Sequence, residues 1–498
     1  MNTPTFTKFQ SWMLLLTCTF VTTLYAMAVT IASIALPDMR GAMAATQDQI
    51  TWTITGNIVA TAVATPLAGW LAGHIQPRVI LLFSVTGFIG TSILCGLSQS
   101  LEQIVIFRVL QGIFGAPLVP LPQALVLTFF PPEKRSMAMS VYGMGVILGP
   151  IIAPTLGGYL GEEFGWRWIF FTLVPFGLSA LILVYLVVPK SLPRVARGFD
   201  VIGFLALATA VASFQLLFDR GERNSWFDSI ETWIEISLGF MGLYIFVVHS
   251  LTTSKPFVDL RIFADRNYAL GLFLVFVFGM LNFAPMVLFP PLMQELRGYP
   301  SSVIGILMGA RGVGTFLGFM IMAFAGRVDP RIPLFIGFVL QGVAGWEMSQ
   351  FSINMTTFDV FWTSALQGLG VGLCWVPIAV VTFSTLNNQF LSEGTALFHL
   401  VRNFASSLYI SVSVAVVLRM GAFNYTDIVN RIDITGPGFM HQQGLYQWGS
   451  NTVVGTMGLS REIYRQSMMI GYIDSFFLFS MISFAALLGL FFIKPKKS

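Results

Sequence analysis

The stretch that says most about the fold is GMGVILGPIIAPTLGGYL, residues 143–160. Small residues recur in it every four positions, which places them on one face of a helix: Gly145, Gly149, Ala153 and Gly157. In lipid, a stripe of small residues lets two helix backbones approach closely. We interpret this segment as a conformational seam between two halves of the molecule, formed by Gly145, Gly149, Pro150, Gly157 and Gly158. Plain helix–helix packing is the alternative interpretation.

The composition indicates that lipid surrounds most of the chain. Of the 498 residues, 55% are hydrophobic and 10% are charged, whereas soluble proteins carry roughly 25% charged residues. A soluble core of this size cannot bury that much apolar surface. The three cysteines all fall inside apolar runs, so we expect no disulfide between them.

A helix needs ~20 apolar residues to cross a bilayer, and the chain offers fourteen such runs. The first six lie at 12–36, 50–72, 79–97, 104–129, 137–160 and 167–189. The other eight lie at 201–218, 230–251, 267–292, 301–325, 332–351, 356–384, 395–418 and 471–493. The sequence therefore predicts an all-α integral membrane protein with fourteen spans and a long polar outer loop, 419–470.

The distribution of basic residues predicts the orientation. With the N-terminus in the cytoplasm, the cytoplasmic segments carry fifteen Lys and Arg, and the short outer loops carry five. Loop 419–470 adds four outer Arg without reversing this bias. Cytoplasmic loops are enriched in Lys and Arg, so we expect a multi-pass protein of the inner (plasma) membrane with both termini cytoplasmic.

Four further motifs accompany the 143–160 stretch. They are RVLQGIFGAPLVP from Arg108, TIASIALP from Thr30, FPPEKR from Phe130 and GWRWIFF from Gly165. Together they resemble the motifs of the EmrB-type drug:proton antiporters, a fourteen-helix branch of the major facilitator superfamily. The resemblance runs over essentially the whole chain.

The resemblance implies the major facilitator fold, two six-helix bundles around a central cavity with two additional helices. It divides the chain into an N-terminal bundle (1–195), two extra linking helices (196–262) and a C-terminal bundle (263–498) that includes loop 419–470. One departure concerns the ion coupling. Ala28 stands where members of this branch often carry an Asp.

Charged and polar residues inside the spans are costly unless they face a cavity or a partner, so each suggests a function. The spacing of His399, Arg402 and Asn403 puts them on one helix face, which lines the cavity or forms a buried interhelical network. Arg108 either anchors backbone carbonyls or, as the resemblance implies, relays protons. The expected substrate-cavity residues are Gln111, Arg311, Arg402, Asn403, Tyr25, Asn57 and Phe283.

Because Ala28 cannot carry a proton, we expect the proton to load elsewhere. Glu347 and Asp474 are the carboxylates that we assign to spanning helices, and we favour Glu347. Arg108 and His399 complete the set of proton-coupling candidates.

The sequence thus predicts a secondary active exporter of lipophilic or amphipathic compounds, driven by proton antiport. The alternative is an exporter of one native metabolite, such as a siderophore or fatty acid, since three Arg in the cavity would suit an anion. A membrane enzyme is disfavoured because the four His are scattered, with no metal-ligand or triad spacing. The lack of a GxxxxGK[ST] loop disfavours an ATP-driven pump.

The expected partners are a small-molecule substrate, protons and the lipid bilayer, with no cofactor, metal or nucleic acid. The EmrB-type resemblance adds a periplasmic membrane-fusion adaptor and an outer-membrane channel. Loop 419–470 is either a docking surface for that adaptor or a partly ordered connector.

Overall fold

The structure, a computed structural model, describes residues 7–190, 198–325, 328–432 and 453–490. Its regular elements within these ranges are helices, as expected where lipid cannot satisfy backbone hydrogen bonds. The first nine are α1 (Lys8–Ile34), α2 (Leu36–Ala42), α3 (Gln47–His74), α4 (Pro77–Leu97), α5 (Leu101–Gly115), α6 (Pro120–Phe129), α7 (Pro132–Phe164), α8 (Arg167–Phe171) and α9 (Leu173–Val187). The others are α10 (Val201–Arg220), α11 (Ile230–Thr252), α12 (Arg266–Pro291), α13 (Ser301–Phe324), α14 (Arg331–Ser349), α15 (Thr357–Thr382), α16 (Leu391–Arg431) and α17 (Val453–Leu490).

Fourteen spans in the described ranges are long and apolar enough to cross a membrane, which confirms the predicted number. Two of these spans, Leu101–Phe129 and Arg167–Val187, are each built from two α-helices. In the span Leu101–Phe129, a 3₁₀ turn at Ala116–Leu118 separates α5 from α6. The break coincides with Pro117 and Pro120, which cannot donate a backbone hydrogen bond.

Local sequence fixes where several helices begin. The backbone N–H of Gln49 donates to Thr46 Oγ1 (3.3 Å), and the backbone N–H of Thr46 donates to Gln49 Oε1 (2.9 Å). This reciprocal capping satisfies two amides at the start of α3. Pro77 lies in the first turn of α4. Its missing backbone N–H costs the helix nothing there, because an N–H in the first turn has no acceptor within the helix.

The helices form two groups that meet along a long interface. Within the first group, α1 packs on α7, and α3 on α5; within the second, α13 packs on α15, and α14 on α17. The two groups contact each other mainly through α7 with α13 and α15, and through α16 with α3 and α6. The pair α10 and α11 lies beside this interface, because α10 touches both α3 and α16.

The boundaries predicted for the outer loop were wrong. The helix α16 continues to Arg431 and α17 already begins at Val453, so most of 419–470 is helical. At ~1.5 Å per residue, 41 residues make a helix of ~60 Å, about twice the hydrocarbon thickness. The polar residues that lower the hydropathy of 419–470 therefore belong to extensions of α16 and α17 beyond the apolar part of each helix. Residues 433–452 of the predicted loop lie outside the described residues.

Candidate transport site

Arg108 is the centre of a polar network buried inside the first group of helices. Its Nε donates to Thr53 O (3.1 Å), and its guanidinium also hydrogen-bonds Gln111 Oε1. Gln111 Nε2 donates to Ser92 Oγ (2.7 Å), and Asn57 Nδ2 donates to Arg108 O (2.8 Å). Arg108, Gln111 and Asn57 are all at most 2% exposed. The network joins α3, α4 and α5, so Gln111 and Asn57 tie these helices together.

Arg311 occupies a similar position inside the second group. Its Nε donates to Gln367 Oε1 (2.8 Å), and its Nη2 donates to Asn282 Oδ1 (2.7 Å). These bonds join α13 to α15 and α12. Arg311 is buried, so this predicted cavity residue also serves to tie neighbouring helices.

His399 makes a different kind of contact, because its partner lies in the other group of helices. Its Nε2 is 2.5 Å from Oε1 of Gln123 on α6. The rings of Phe398 and Trp375 lie beside the imidazole, at centroid distances of 5.6 and 6.0 Å. In the neutral imidazole with Nε2 donating to Gln123, Nδ1 is an acceptor. Nδ1 is buried and has no hydrogen-bond partner among the described residues.

Arg402 lies one helical turn beyond His399, toward the Arg431 end of α16. Its guanidinium hydrogen-bonds Asn403 Oδ1 through Nε (3.3 Å) and Nη2 (3.0 Å). It stands 5.3 Å from the Trp375 ring and within electrostatic reach of the Tyr25 and Tyr142 hydroxyl groups. Arg402 and Asn403 are half-buried. None of the contacts recorded for Arg402 in the described part of the chain is to a carboxylate.

Tyr25 brings the first helix into the same group. Its hydroxyl donates to Thr61 Oγ1 (3.1 Å), and its ring fills the space beside Gly115, where a Cβ atom would lie 2.5 Å from the ring. The structure therefore brings together Tyr25, Arg402 and Asn403 of the predicted cavity residues. Phe283 is half-buried on α12, and no recorded contact joins it to this group.

The predicted glycine seam packs within one half. A Cβ atom on Gly145 would lie 2.0 Å from Thr19 Cγ2, and one on Gly149 would lie 2.8 Å from Thr23 O. Both neighbours belong to α1, so this stripe of α7 faces its own group of helices. Pro150 and the buried Gly157 lie on the same helix. Gly158 is also part of α7, and its packing lies outside what the structure describes.

A neighbouring face of α7 makes the contact between the two halves. A Cβ atom on Gly143 would meet the Phe319 ring at 2.7 Å, and one on Gly312 would meet Ile151 Cδ1 at 2.5 Å. Phe319 and Gly312 both belong to α13. Bulk at Gly143 or Gly312 would therefore press against the opposite half, whereas bulk at Gly145 or Gly149 would separate α7 from α1.

The comparisons with known proteins agree with this architecture. A sequence profile of the Major Facilitator Superfamily matches residues 18–409. The chain is 31% identical to the multidrug export protein EmrB of Haemophilus influenzae, over 97% of this chain and 96% of that protein. The chain is an EmrB-type member of the Major Facilitator Superfamily. Another relative is the fatty acid resistance protein FarB of Neisseria gonorrhoeae, 30% identical over 81% of this chain and 80% of FarB.

Solved structures of the superfamily share the fold of this EmrB-type transporter at low sequence identity. The human organic anion transporter MFSD10 has a TM-score of 0.64 and 15% identity, with 99% of this chain and 100% of that chain covered. At this identity the likeness concerns the fold alone.

The two carboxylates favoured from the sequence lie away from Arg402 and His399. Glu347 is half-buried near the end of α14, and Asp474 is half-buried on α17. Both helices make their main contacts within the second group. Another carboxylate, Glu235, was not predicted as a site residue, although it falls inside the predicted span 230–251. Its spacing of four and seven residues from Gly239 and Gly242 was the signal that it lies on a buried helix face.

Proposed function

We propose that this EmrB-type transporter exports lipophilic and amphipathic compounds in exchange for protons, as a multidrug efflux protein. The name of the Haemophilus relative supports the class of cargo. The observation that carries the proposal is the contact between His399 and Gln123. It joins the two halves through an imidazole, a side chain that can gain and lose a proton, one turn from an arginine that faces the interface.

We place both termini in the cytoplasm of a cell with this protein in its inner membrane. On that assignment, two contacts between the halves close the cytoplasmic side. Ser136 Oγ donates to Met322 O (3.3 Å), and a Cβ atom on Gly69 would lie 3.0 Å from Ala396 Cβ. Half-buried Arg402 then lies on the outer side of these two contacts.

A proton cycle follows from the His399 contact. A proton from outside reaches Nδ1 of His399 by way of the interface around Arg402. The resulting imidazolium is a second buried charge next to Arg402, the one charged group recorded as acting on it among the described residues. Its repulsion weakens the closed cytoplasmic contact. The halves separate there, the proton leaves to the cytoplasm, cargo binds, and neutral His399 restores the contact with Gln123.

Transport by purified protein in proteoliposomes tests this proposal. A lipophilic fluorescent dye should be moved uphill when a pH gradient is imposed, and the movement should stop when an ionophore collapses that gradient. Transport that is indifferent to the pH gradient would rule out proton exchange. Lack of movement for a panel of chemically unrelated lipophilic compounds would rule out multidrug export.

A second candidate is export of a specific amphipathic anion, such as a fatty acid or a siderophore. Arg402 supports it, because a guanidinium without a carboxylate partner is suited to bind one from a ligand. The adjacent Trp375 ring offers an apolar surface for the rest of the molecule. The name of the relative FarB points to the same class of cargo.

Matched competitors separate this candidate from general multidrug export. A fatty acid should inhibit dye transport more strongly than its methyl ester, and Arg402→Gln should weaken inhibition by the acid about tenfold. Arg419→Gln, an exposed position further along the same helix, is the control. Equal inhibition by acid and ester in the unaltered protein would remove the case for a specific anion.

We also propose that, in a host with two membranes, the protruding ends of α16 and α17 bind a periplasmic adaptor that leads to an outer-membrane channel. Exposed apolar residues on these ends support this: Phe423, Val453, Val454 and Met457. The double variant Val454→Glu/Met457→Glu should abolish adaptor-dependent resistance in cells and leave proteoliposome transport intact. Full resistance without any adaptor would contradict the proposal.

Labelling of Met457→Cys but not Lys134→Cys from outside would support the proposed orientation, in which both termini lie in the cytoplasm.

A further inference from the structure

The extra helix pair contains a buried carboxylate that the proposed cycle does not use. The buried residues of α11 follow helical spacing along one face: Thr232, Glu235, Gly239, Gly242, Phe246 and Ser250. This face packs on α10, because a Cβ atom on Gly242 would lie 2.8 Å from Ala206 O. Glu235 is therefore directed into the seam between α10 and α11, and not toward lipid.

The surroundings of Glu235 do little to stabilise a charged carboxylate. Glu235 is 7% exposed and Thr232 is fully buried. Among the described residues, neither Glu235 Oε2 nor Thr232 Oγ1 has a hydrogen-bond partner, and Arg220 Nε on the facing helix has none either. A buried carboxylate with an oxygen that accepts no hydrogen bond is costly in its charged form, which favours the protonated form.

The charges in the seam do not balance. Arg220 forms an ion pair with Glu231, which is 44% exposed at the Ile230 end of α11. Glu235 interacts electrostatically with both of these residues. One guanidinium therefore serves two carboxylates and leaves one negative charge to be neutralised. In the described part of the chain, no group of three His, Cys, Asp or Glu could hold a metal ion. A proton on Glu235 would neutralise this charge.

The helix α10 connects this seam to both halves of the transporter. Asp219, next to Arg220, accepts a hydrogen bond from Thr55 of α3. One turn deeper, Gln215 Nε2 donates to Ser407 Oγ of α16 at 2.7 Å. A change in charge between α10 and α11 thus acts on a helix that is hydrogen-bonded to each side of the moving interface.

We propose that Glu235 is a second proton-binding site, filled from the outer aqueous phase beneath the Arg220–Glu231 pair. Its coupling to export rests on the proposed proton-driven function, whereas proton binding itself does not. The protonated carboxyl leaves Arg220 paired with Glu231, and loss of the proton makes the two carboxylates compete for Arg220.

Dicyclohexylcarbodiimide tests for the bound proton, because it modifies protonated carboxyl groups in apolar surroundings. The full-length protein, purified in detergent, should be modified at Glu235, as read by mass spectrometry of its peptides. Modification should fall as the pH is raised, and Glu235→Gln should abolish it. Glu231→Gln should lower modification of Glu235, because it frees Arg220 to pair with Glu235. Modification confined to Glu231, or absent from α11, would overturn the proposal.

The transport assay tests the coupling separately. Glu235→Gln should shift the pH dependence of gradient-driven dye transport relative to the unaltered protein. An unchanged pH profile, together with modification at Glu235, would overturn the coupling role and leave proton binding in place. If the unaltered protein shows no gradient-driven transport, the proposed function fails while the carbodiimide result still decides whether Glu235 binds a proton.

Discussion

The polar residues inside each half and those between the halves are built differently. Inside, Arg108 and Arg311 donate to backbone carbonyls and amide side chains that belong to their own group of helices. Between the halves, His399 has one hydrogen-bond partner among the described residues, and its Nδ1 and Gln123 Nε2 have none there. One side-chain hydrogen bond therefore holds this contact between the halves, whereas several hold each of the networks around Arg108 and Arg311.

The first prediction concerns the hydrogen-bond network around Arg108, inside the first half. Arg108→Ala removes the donor to Thr53 and the donor to Gln111 Oε1, so it should lower the free energy of unfolding by on the order of 3 kcal/mol. Arg402→Ala, at the half-buried position, should cost much less. All three free cysteines are buried, so a thiol-reactive fluorophore reports unfolding in detergent during heating. Equal melting of the two variants would contradict the distinction.

The second prediction concerns packing inside the first half. Gly149→Leu places a branched side chain where a Cβ atom already lies 2.8 Å from Thr23 O, so α7 must move away from α1. We expect loss of transport together with a lower melting temperature, because overpacking of a tight contact is destabilising. Gly90→Leu is the control, since no atom lies within 4 Å of a Cβ atom there. Normal export by the Gly149 variant would show that this contact tolerates separation.

How much of this could be predicted from the sequence differs between the two regions. The fourteen spans were predicted because lipid requires long apolar runs, a signal that each segment carries by itself. The ends of α16 and α17 were missed because hydropathy reports where lipid ends and not where a helix ends. The polar face of His399, Arg402 and Asn403 was visible from helical spacing alone.

The partners of those residues were not predictable. Gln123 lies 276 positions from His399, and nothing in either segment specifies the other. The helix against which the glycine stripe of α7 packs was also not predictable, since small residues allow close approach to any neighbouring helix. The hydrogen bonds of Gln111 and Asn57 within their own group of helices were not predictable either, because a polar residue in a span satisfies its hydrogen bonds as readily within a bundle as at a cavity.

The third prediction concerns the contact between the halves, at His399. His399→Gln preserves a hydrogen-bonding side chain toward Gln123 but cannot take up a proton near neutral pH. It should abolish the stimulation of dye transport by a pH gradient, while the dye still crosses down its own concentration gradient. Proteoliposomes with and without the imposed gradient provide the measurement. Stimulation equal to that of the unaltered protein would move the proton site away from His399.

The last prediction is the smallest effect and concerns the carboxylates that the sequence favoured. Glu347 and Asp474 are half-buried, no recorded side-chain contact holds either one, and their helices pack mainly within the second half. Glu347→Gln and Asp474→Asn conserve size, so gradient-driven transport should stay within about twofold of the unaltered protein. The same proteoliposome assay decides. If either amide abolishes the response to the gradient while His399→Gln retains it, the proton binds inside one half. The change in the contact between His399 and Gln123 would then be a consequence of proton binding inside one half and not its cause.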